Sequence, residues 1–399
     1  MTITSVFGQN IAVLHALGID DKFYLYKGRG WFINIGLGTF TIEEYDKNFN
    51  LLRSYTSTIS TYDSYMTAYD PLTDTILIGA KTGTDKGVLI IFDRGSMTVK
   101  SVVEHPYEYT FPAVVDDDYI FIRTIGTSSP KNKLFRTTRK DITDYTKWTL
   151  LLSSDVNDEW DVLPWKDNIA VIGKHGVYGG KIIDVNGTVL QDISTPFTFT
   201  EQTVEGTGGS IPGTNDKYIC QAQMISSGIL VRCFDGTTTI DIATESYLPL
   251  KYQTSQYTEY QTLALPVNDK VVVLNGWEKS DARVSIYDIP SKTLLEQVTL
   301  TGVTIHPSYN YIFFKGDLYI GNESSLGSGN ALIKITPPNK ITITGITVSG
   351  ENIIVNATGG TQVLVFKRHR GATHGKLVAT GSVGSPIRVG YGQFKVVVR

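Results

Sequence analysis

The 399-residue chain is short of charge, with Asp, Glu, Lys and Arg together making up 19% of it. That excludes a self-repelling disordered polymer and a long solvated helix. It has two cysteines, Cys220 and Cys233, too few for a disulfide-built scaffold. No apolar run is long enough to span a bilayer, and the opening MTITSVFGQNIAVLHALG lacks the charged start and continuous apolar segment of a signal peptide. Neither membrane insertion nor an obvious route of export is therefore expected.

Chemistry-bearing motifs are also missing. The six histidines, His15, His105, His175, His306, His369 and His374, form no helical pair and no Cys/His ligand cluster, so no metal is expected. The Gly-rich GKHGVYGGK, Gly173 to Lys181, lacks phosphate-loop spacing and has Ile182 where Ser or Thr would follow the lysine. It reads as a hairpin loop. DVNDEWD, Asp155 to Asp161, lacks the central glycine and terminal acid of a calcium loop, and reads as surface. No nucleophile elbow, catalytic dyad or pair of carboxylates at interpretable spacing is found, so no catalytic residue and no cofactor is assigned. The sequons at Asn186, Asn322 and Asn356 matter only in a host that glycosylates the protein.

What is present is a repeat. A turn opening an apolar, β-branched run recurs as DPLTDTILIG, DDDYIFIR, WKDNIAVIG, NDKYICQA, NDKVVVLNG and KGDLYIG, anchored on Asp74, Asp118, Asp167, Asp216, Asp269 and Asp317. The intervals are 44, 49, 49, 53 and 48 residues. That period belongs to propellers or helical arrays, and the strand chemistry excludes the second. A second signal runs in phase, in which an apolar residue followed by Asp closes the next strand: Tyr45-Asp46, Phe92-Asp93, Ile183-Asp184, Phe234-Asp235 and Tyr287-Asp288. Each Asp is placed to bond the backbone two residues on and start the turn into an outer strand.

Seven units result. The first is expected around GRGWFINIG, Gly28 to Gly36, and the third carries a long outer hairpin in KNKLFRTTRKDITDYTKWTLLL. The seventh lacks its outermost strand, because Pro337-Pro338 cannot continue a ladder, and the stretch from Thr2 to Leu14 is expected to supply it and close the ring. The pattern resembles the YVTN-like and quinoprotein-like propeller superfamilies over about residues 1–336, a resemblance that implies fold and no particular activity.

Residues 339–399 change character. ITITGITV, NIIVNAT, QVLVFKR, KLVATGSV and QFKVVVR read as short strands, and the segment resembles an immunoglobulin-like or carboxypeptidase-regulatory-like sandwich. VLVFKR followed by GKLVATGSV is similar to small domains appended to phage and other surface proteins. The expected fold is thus all-β: a seven-bladed propeller over 1–338, closed by the N-terminal strand, and a small sandwich over 339–399.

Charge divides the same way. Residues 341–399 hold seven Lys/Arg against the single acid Glu351, a net +6 that leaves −9 on the rest. A basic tip at Lys367, Arg368, Arg370 and Lys376 is the expected docking element, although a tail packed on its own propeller is equally compatible with the numbers. Cys220 and Cys233 flank QAQMISSGILVR, so a two-residue turn at Ser226-Ser227 faces them across a hairpin. They form either a disulfide or, as a reducing compartment favours, two half-buried thiols.

The connections between units are aromatic, at Tyr62 and Tyr65, Tyr107 and Tyr109, Trp160, Phe197 and Phe199, then Tyr252, Tyr257 and Tyr260. Such rings either stack on a ligand or wedge between neighbouring blades. Two functional classes follow. The first is a non-enzymatic structural and binding protein, best matched by a virion component such as a tail, spike or turret protein used in assembly or host attachment. It would be made in the host cytoplasm, with other structural subunits and surface glycans as partners and no nucleic-acid specificity; a cytoplasmic scaffold is the less specific version. The alternative is a propeller enzyme acting on polysaccharide, a lyase or glycoside hydrolase, with its site in the central channel.

Overall fold

Alternating apolar and polar residues, rich in Val, Ile, Thr and Tyr, give strands nearly throughout the computed structural model of the chain. The structure describes residues 2–9, 13–27, 38–61, 63–82, 86–114, 116, 118–126, 128–156, 160–174, 178–198, 210–225, 227–248, 262–276, 281–301, 311–314, 317–321, 330–336, 342–349, 352–358, 362–368, 375–388 and 394–398.

Strand β1 (Thr2–Gln9) precedes six antiparallel units of four consecutive strands. Unit 1 is β2 (Val13–Ile19), β3 (Lys22–Lys27), β4 (Gly38–Asp46) and β5 (Leu51–Thr61). Unit 2 is β6 (Asp63–Asp70), β7 (Thr75–Lys81), β8 (Gly87–Asp93) and β9 (Thr98–His105). Unit 3 is β10 (Tyr109–Ala113), β11 (Tyr119–Ile125), β12 (Asn132–Thr138) and β13 (Thr149–Ser154), with a 3-10 turn at Tyr145–Lys147 inside the long outer hairpin expected from the sequence. Unit 4 is β14 (Trp160–Trp165), β15 (Asn168–Gly173), β16 (Gly180–Ile183) and β17 (Val189–Asp192), followed by the short helix α1 (Ser194–Phe197). Unit 5 is β18 (Ser210–Thr214), β19 (Ile219–Ile225), β20 (Gly228–Phe234) and β21 (Thr239–Glu245). Unit 6 is β22 (Thr262–Val267), β23 (Lys270–Asn275), β24 (Asp281–Asp288) and β25 (Thr293–Thr301).

A last group, β26 (Tyr311–Phe314), β27 (Asp317–Gly321) and β28 (Asn330–Thr336), has only three strands of its own. β1 pairs antiparallel with β28, Thr2 opposite Thr336, and completes the fourth. The free edge that the two prolines would otherwise leave is thereby covered. First strands of successive units touch, β26 against β2, β2 against β6, β6 against β10 and β14 against β18. Between units 5 and 6 they pair outright, Ser210 to Pro212 lying parallel to Thr262 to Ala264. The approach is close enough between units 2 and 3 that a Cβ on Gly79 would overlap the Thr110 carbonyl.

The apolar cores lie between units. Ile42, Ile78, Ile90 and Phe92 join units 1 and 2, and Phe121, Trp160, Val171 and Ile183 join units 3 and 4. Unit 1 starts earlier than the sequence suggested. Its opening turn is Asp20-Asp21, between β2 and β3, whereas Gly28 to Gly36 lies outside the described residues. The reason is that Val13 belongs to β2, so only Thr2 to Gln9 serves as the closing strand.

In unit 5, Ile225 pairs with Gly228 and Cys220 with Cys233, as a two-residue turn requires, although Ser226 itself is outside the described residues. The two sulfurs are joined as a disulfide, in a fully buried position between units 5 and 6. Two half-buried reduced thiols, the state favoured from the sequence, are not what this structure holds.

The remaining strands are β29 (Thr342–Ser349), β30 (Asn352–Thr358), β31 (Gln362–Arg368), β32 (Gly375–Ser382), β33 (Pro386–Arg388) and β34 (Phe394–Val398). They form two three-stranded sheets, β29-β30-β33 and β32-β31-β34. Five were legible in the sequence; β33 is too short to show a period.

Candidate functional site

Two sides of the unit array differ in chemistry. The turn side carries the turns between first and second strands and between third and fourth. Its aspartates do what the in-phase signal implies. Asp46 Oδ1 accepts from the amides of Asn48 and Asn50, Asp184 Oδ1 from Asn186 and Thr188, and Asp235 Oδ1 from Thr237 and Thr238, at 2.7 to 2.9 Å. Asp93 and Asp288 accept from Ser96 and Ser291 in the same way. All five carboxyls are held below the usual aspartate range. For Asp184 and Asp235 the main cause is the amides of Thr188 and Thr238, and for Asp93 that of Ser96. For Asp46 and Asp288 it is the side chains of Asn50 and Ser291.

Ion pairs then tie consecutive turns together. Arg94 donates to Asp74 at 2.5 Å and to Asp20 of the preceding unit at 3.0 Å. Arg139 forks onto the buried Asp70 at 2.8 to 3.0 Å, joining units 2 and 3, and Lys217 meets Asp269 at 2.5 Å between units 5 and 6. The buried Glu44 takes Arg53, Lys22 and Tyr24. Burial pushes its carboxyl up, but these hydrogen bonds outweigh that and hold it low.

The loop side, where units connect to one another, is built from buried long-range bonds. Lys81 pairs with Glu108 and lies 4.9 Å from the Tyr109 ring centre. Arg123, 1% exposed, stacks 3.7 Å over Phe111 and donates to the Trp160 carbonyl of the next unit. Lys174 lies 3.5 Å from Asp161, and Gln221 donates to the carbonyls of Gly173 and Ser210. His105 accepts the Tyr107 amide at Nδ1, so its proton sits on Nε2, 2.7 Å from Thr110 Oγ1. Burial lowers it to about 4, so it is neutral at ordinary pH.

The expected aromatic residues fall as follows. Tyr107 is half-buried, 5.2 Å from Phe135 with Lys133 over its ring, and Trp160 is buried with its ring 4.5 Å from Tyr178. Phe197 is buried against Phe234. These described rings fill the seams between strands and units. Tyr62, Tyr257 and Tyr260 lie outside the described residues, as do Phe199 and Tyr252, while Tyr65 is placed only by its position in β6. Of the docking tip, Lys367 and Arg368 end β31, Lys376 is the second residue of β32, opposite Lys367, and Arg370 is outside the described residues. Among the described residues no three His, Cys, Asp or Glu are grouped to hold a metal ion, and no helix is long and apolar enough to cross a membrane. The partners of Arg123, Asp70, Arg139, Lys174 and Asp161 escaped the sequence reading because they are set by tertiary contact; the surface reading of Asp155 to Asp161 fails at its end, where Trp160 and Asp161 are buried at the start of β14.

No family model matches the chain, and no curated protein matches it either. Among solved structures it is similar to a chain of the mitotic checkpoint complex, with a TM-score of 0.53 at 9% identity over 84% of this chain and 91% of that one. It is also similar to the Dos1 propeller, with a TM-score of 0.52 at 10% identity over 84% and 95%. The β-propeller domain of the Trilobed protease from Pyrococcus furiosus aligns at a TM-score of 0.48 and 11% identity over 82% and 95%. At such identities the likeness speaks for fold alone: the chain is an all-β protein of β-propeller architecture.

Proposed function

We infer that this is a non-enzymatic recognition and assembly protein, a seven-bladed propeller of units 1 to 6 plus the β1-closed group, followed by an immunoglobulin-like sandwich over 339–399 that docks it. The observation that carries the reading is a recurrent apolar pair on the outermost strands, just after the third-to-fourth turn. Leu51 and Leu52 of unit 1, Val189 and Leu190 of unit 4, and Leu294 and Leu295 of unit 6 are each about half exposed. A repeated outward apolar contact suits protein partners better than a soluble substrate. The neighbour from the mitotic checkpoint complex puts a similar fold to use in a protein assembly.

A virion component is the specific version, supported by the low charge, the richness in Thr, Tyr and Gly, and the basic module on an acidic body. Purification from the native source followed by electron microscopy tests it. Stoichiometric recovery with a particle or filament is expected; a free monomer, with leucine-to-serine rim variants indistinguishable from the parent in recovery, overturns it.

A further inference from the structure

The sequence holds two Asn-Gly pairs, Asn186-Gly187 and Asn275-Gly276, in opposite surroundings. In such a pair the main-chain nitrogen of glycine can reach the side-chain amide carbon of the asparagine, because no Cβ on the following residue stands in the way. Closing that ring needs an accessible side chain and a main chain that can turn.

Asn275 offers neither. It is 1% exposed in β23, paired with Thr262 on one side and Arg283 on the other. A Cβ on Gly276 would stand 2.6 Å from the Ala282 Cα, so the glycine main chain is pressed against the neighbouring strand.

Asn186 is exposed in the turn between β16 and β17, and Gly187 has φ of 86°. The bonds that hold this turn are mostly its own: the amides of Asn186 and Thr188 donate to Asp184 Oδ1 at 2.8 Å, and that of Gly187 to the Asp184 carbonyl at 3.1 Å. Beyond it lies β17, the outermost strand of unit 4, four residues long, with Val189 and Leu190 about half exposed. Such a turn opens locally at little cost. One bond comes from outside. Arg136 of unit 3 donates through Nη1 to Asn186 Oδ1 at 2.6 Å and to the Val185 carbonyl at 2.9 Å. Its charge draws electron density from Cγ, the carbon to be attacked, and stays with Oδ1 as that oxygen becomes negative.

We propose that Asn186 is a modification site, at which the chain deamidates itself with Arg136 as the electrophilic partner, while Asn275 is spared. The Gly187 nitrogen loses its proton and bonds to Cγ, the Cγ–Nδ2 bond breaks, and ammonia leaves with that proton. Water then opens the succinimide at Cγ to give aspartate, or at the main-chain carbonyl to give isoaspartate; no oxidant or cofactor takes part. Aspartate at 186 keeps the turn and turns the bond from Arg136 into an ion pair between units 3 and 4. Isoaspartate inserts one more carbon into the main chain of a turn that Asp184 holds closed, and so displaces Val189 and Leu190. The chemistry does not depend on the assembly role inferred above, although it alters one of the apolar contacts invoked there.

Peptide mapping by mass spectrometry decides it, with the full chain incubated in mildly alkaline buffer, folded and, in parallel, unfolded in urea. Folded, conversion at Asn186 should exceed that at Asn275 by about tenfold or more, since an exposed turn opens far more often than a sheet interior. Unfolded, the two rates should converge. The R136Q variant, checked by circular dichroism, should convert Asn186 severalfold more slowly with Asn275 unchanged. Should it misfold, R136M, which keeps the stem over the Tyr119 ring, takes its place. Equal rates at the two sites in the folded chain, or a folded chain in which Asn186 does not convert, overturn the site. A folded variant that converts Asn186 as fast as the parent, or faster, overturns the part given to Arg136.

Discussion

On the turn side an aspartate closes its own turn over four residues of chain or fewer, as Asp184 does with Asn186 and Thr188. On the loop side Arg123 reaches 37 residues along the chain to Trp160, and Gln221 reaches 48 back to Gly173. The local turn bonds are exposed and individually small, whereas the bonds between units are long-range, whether on the loop side or, as with Arg139 on the buried Asp70, on the turn side. Specification and cohesion therefore divide between local and long-range bonds. Turns fix where each strand stops, and buried pairs fix which unit lies beside which.

If that division is right, the largest loss should come from Arg123→Ala. It removes a charge-assisted bond to the Trp160 carbonyl and the stacking on Phe111 in one buried seam, which should cost about 3 kcal/mol. Urea unfolding of the variant and parent measures it, and a loss under about 1 kcal/mol would mean that cohesion resides elsewhere.

Acid should act on the loop side before the turn side. His105 is lowered from 6.5 to about 4 by burial, so between those values the unfolded chain binds a proton that the folded one does not. Its contribution is intact above 6.5 and is lost as pH falls toward 4, by about 3 kcal/mol at the full shift. The turn aspartates, depressed by their hydrogen bonds, contribute above the ordinary aspartate value, and that contribution is lost only as pH falls through their lower folded values. Stability measured from pH 7 to 3 should decline in two stages, with His105→Gln flattening the first.

A single turn should yield little. Asp235→Ala removes the acceptor for the amides of Thr237 and Thr238 in a solvated turn, a loss of about 1 kcal/mol. A loss as large as that of Arg123→Ala would erase the distinction between local and long-range bonds.

The same division explains what the sequence disclosed. Asp46, Asp93, Asp184, Asp235 and Asp288 were legible because their partners are two to four residues away, and the closing role of β1 because Pro337-Pro338 left a strand missing. The opening turn of unit 1 was passed over although Asp20-Asp21 has the same chemistry as Asn268-Asp269. The disulfide could be placed in register but not chosen over thiols, since register says which residues face and nothing about oxidation. Asp70 with Arg139 and Lys81 with Glu108 had no signal at all, because a pair formed 69 or 27 residues apart has no period.

The smallest predicted effect runs the other way. Lys292 follows the Asp288-capped turn, is exposed, and has φ of 59°, a conformation that costs an ordinary L-residue energy and costs glycine none. Asn268 and Asp74, on first-to-second turns, have φ of 55° and 52°, where their short polar side chains tolerate it better. Lys292→Gly should therefore stabilise the chain by about 0.5 kcal/mol, the relief of strain being partly offset by the added freedom of glycine in the unfolded state. Asn268→Gly should be close to neutral. Thermal unfolding of the two variants side by side separates a cost specific to side-chain type from a general benefit of glycine in turns. Equal gains from both would show that the turn side is strained throughout and not only where evolution has placed a long side chain.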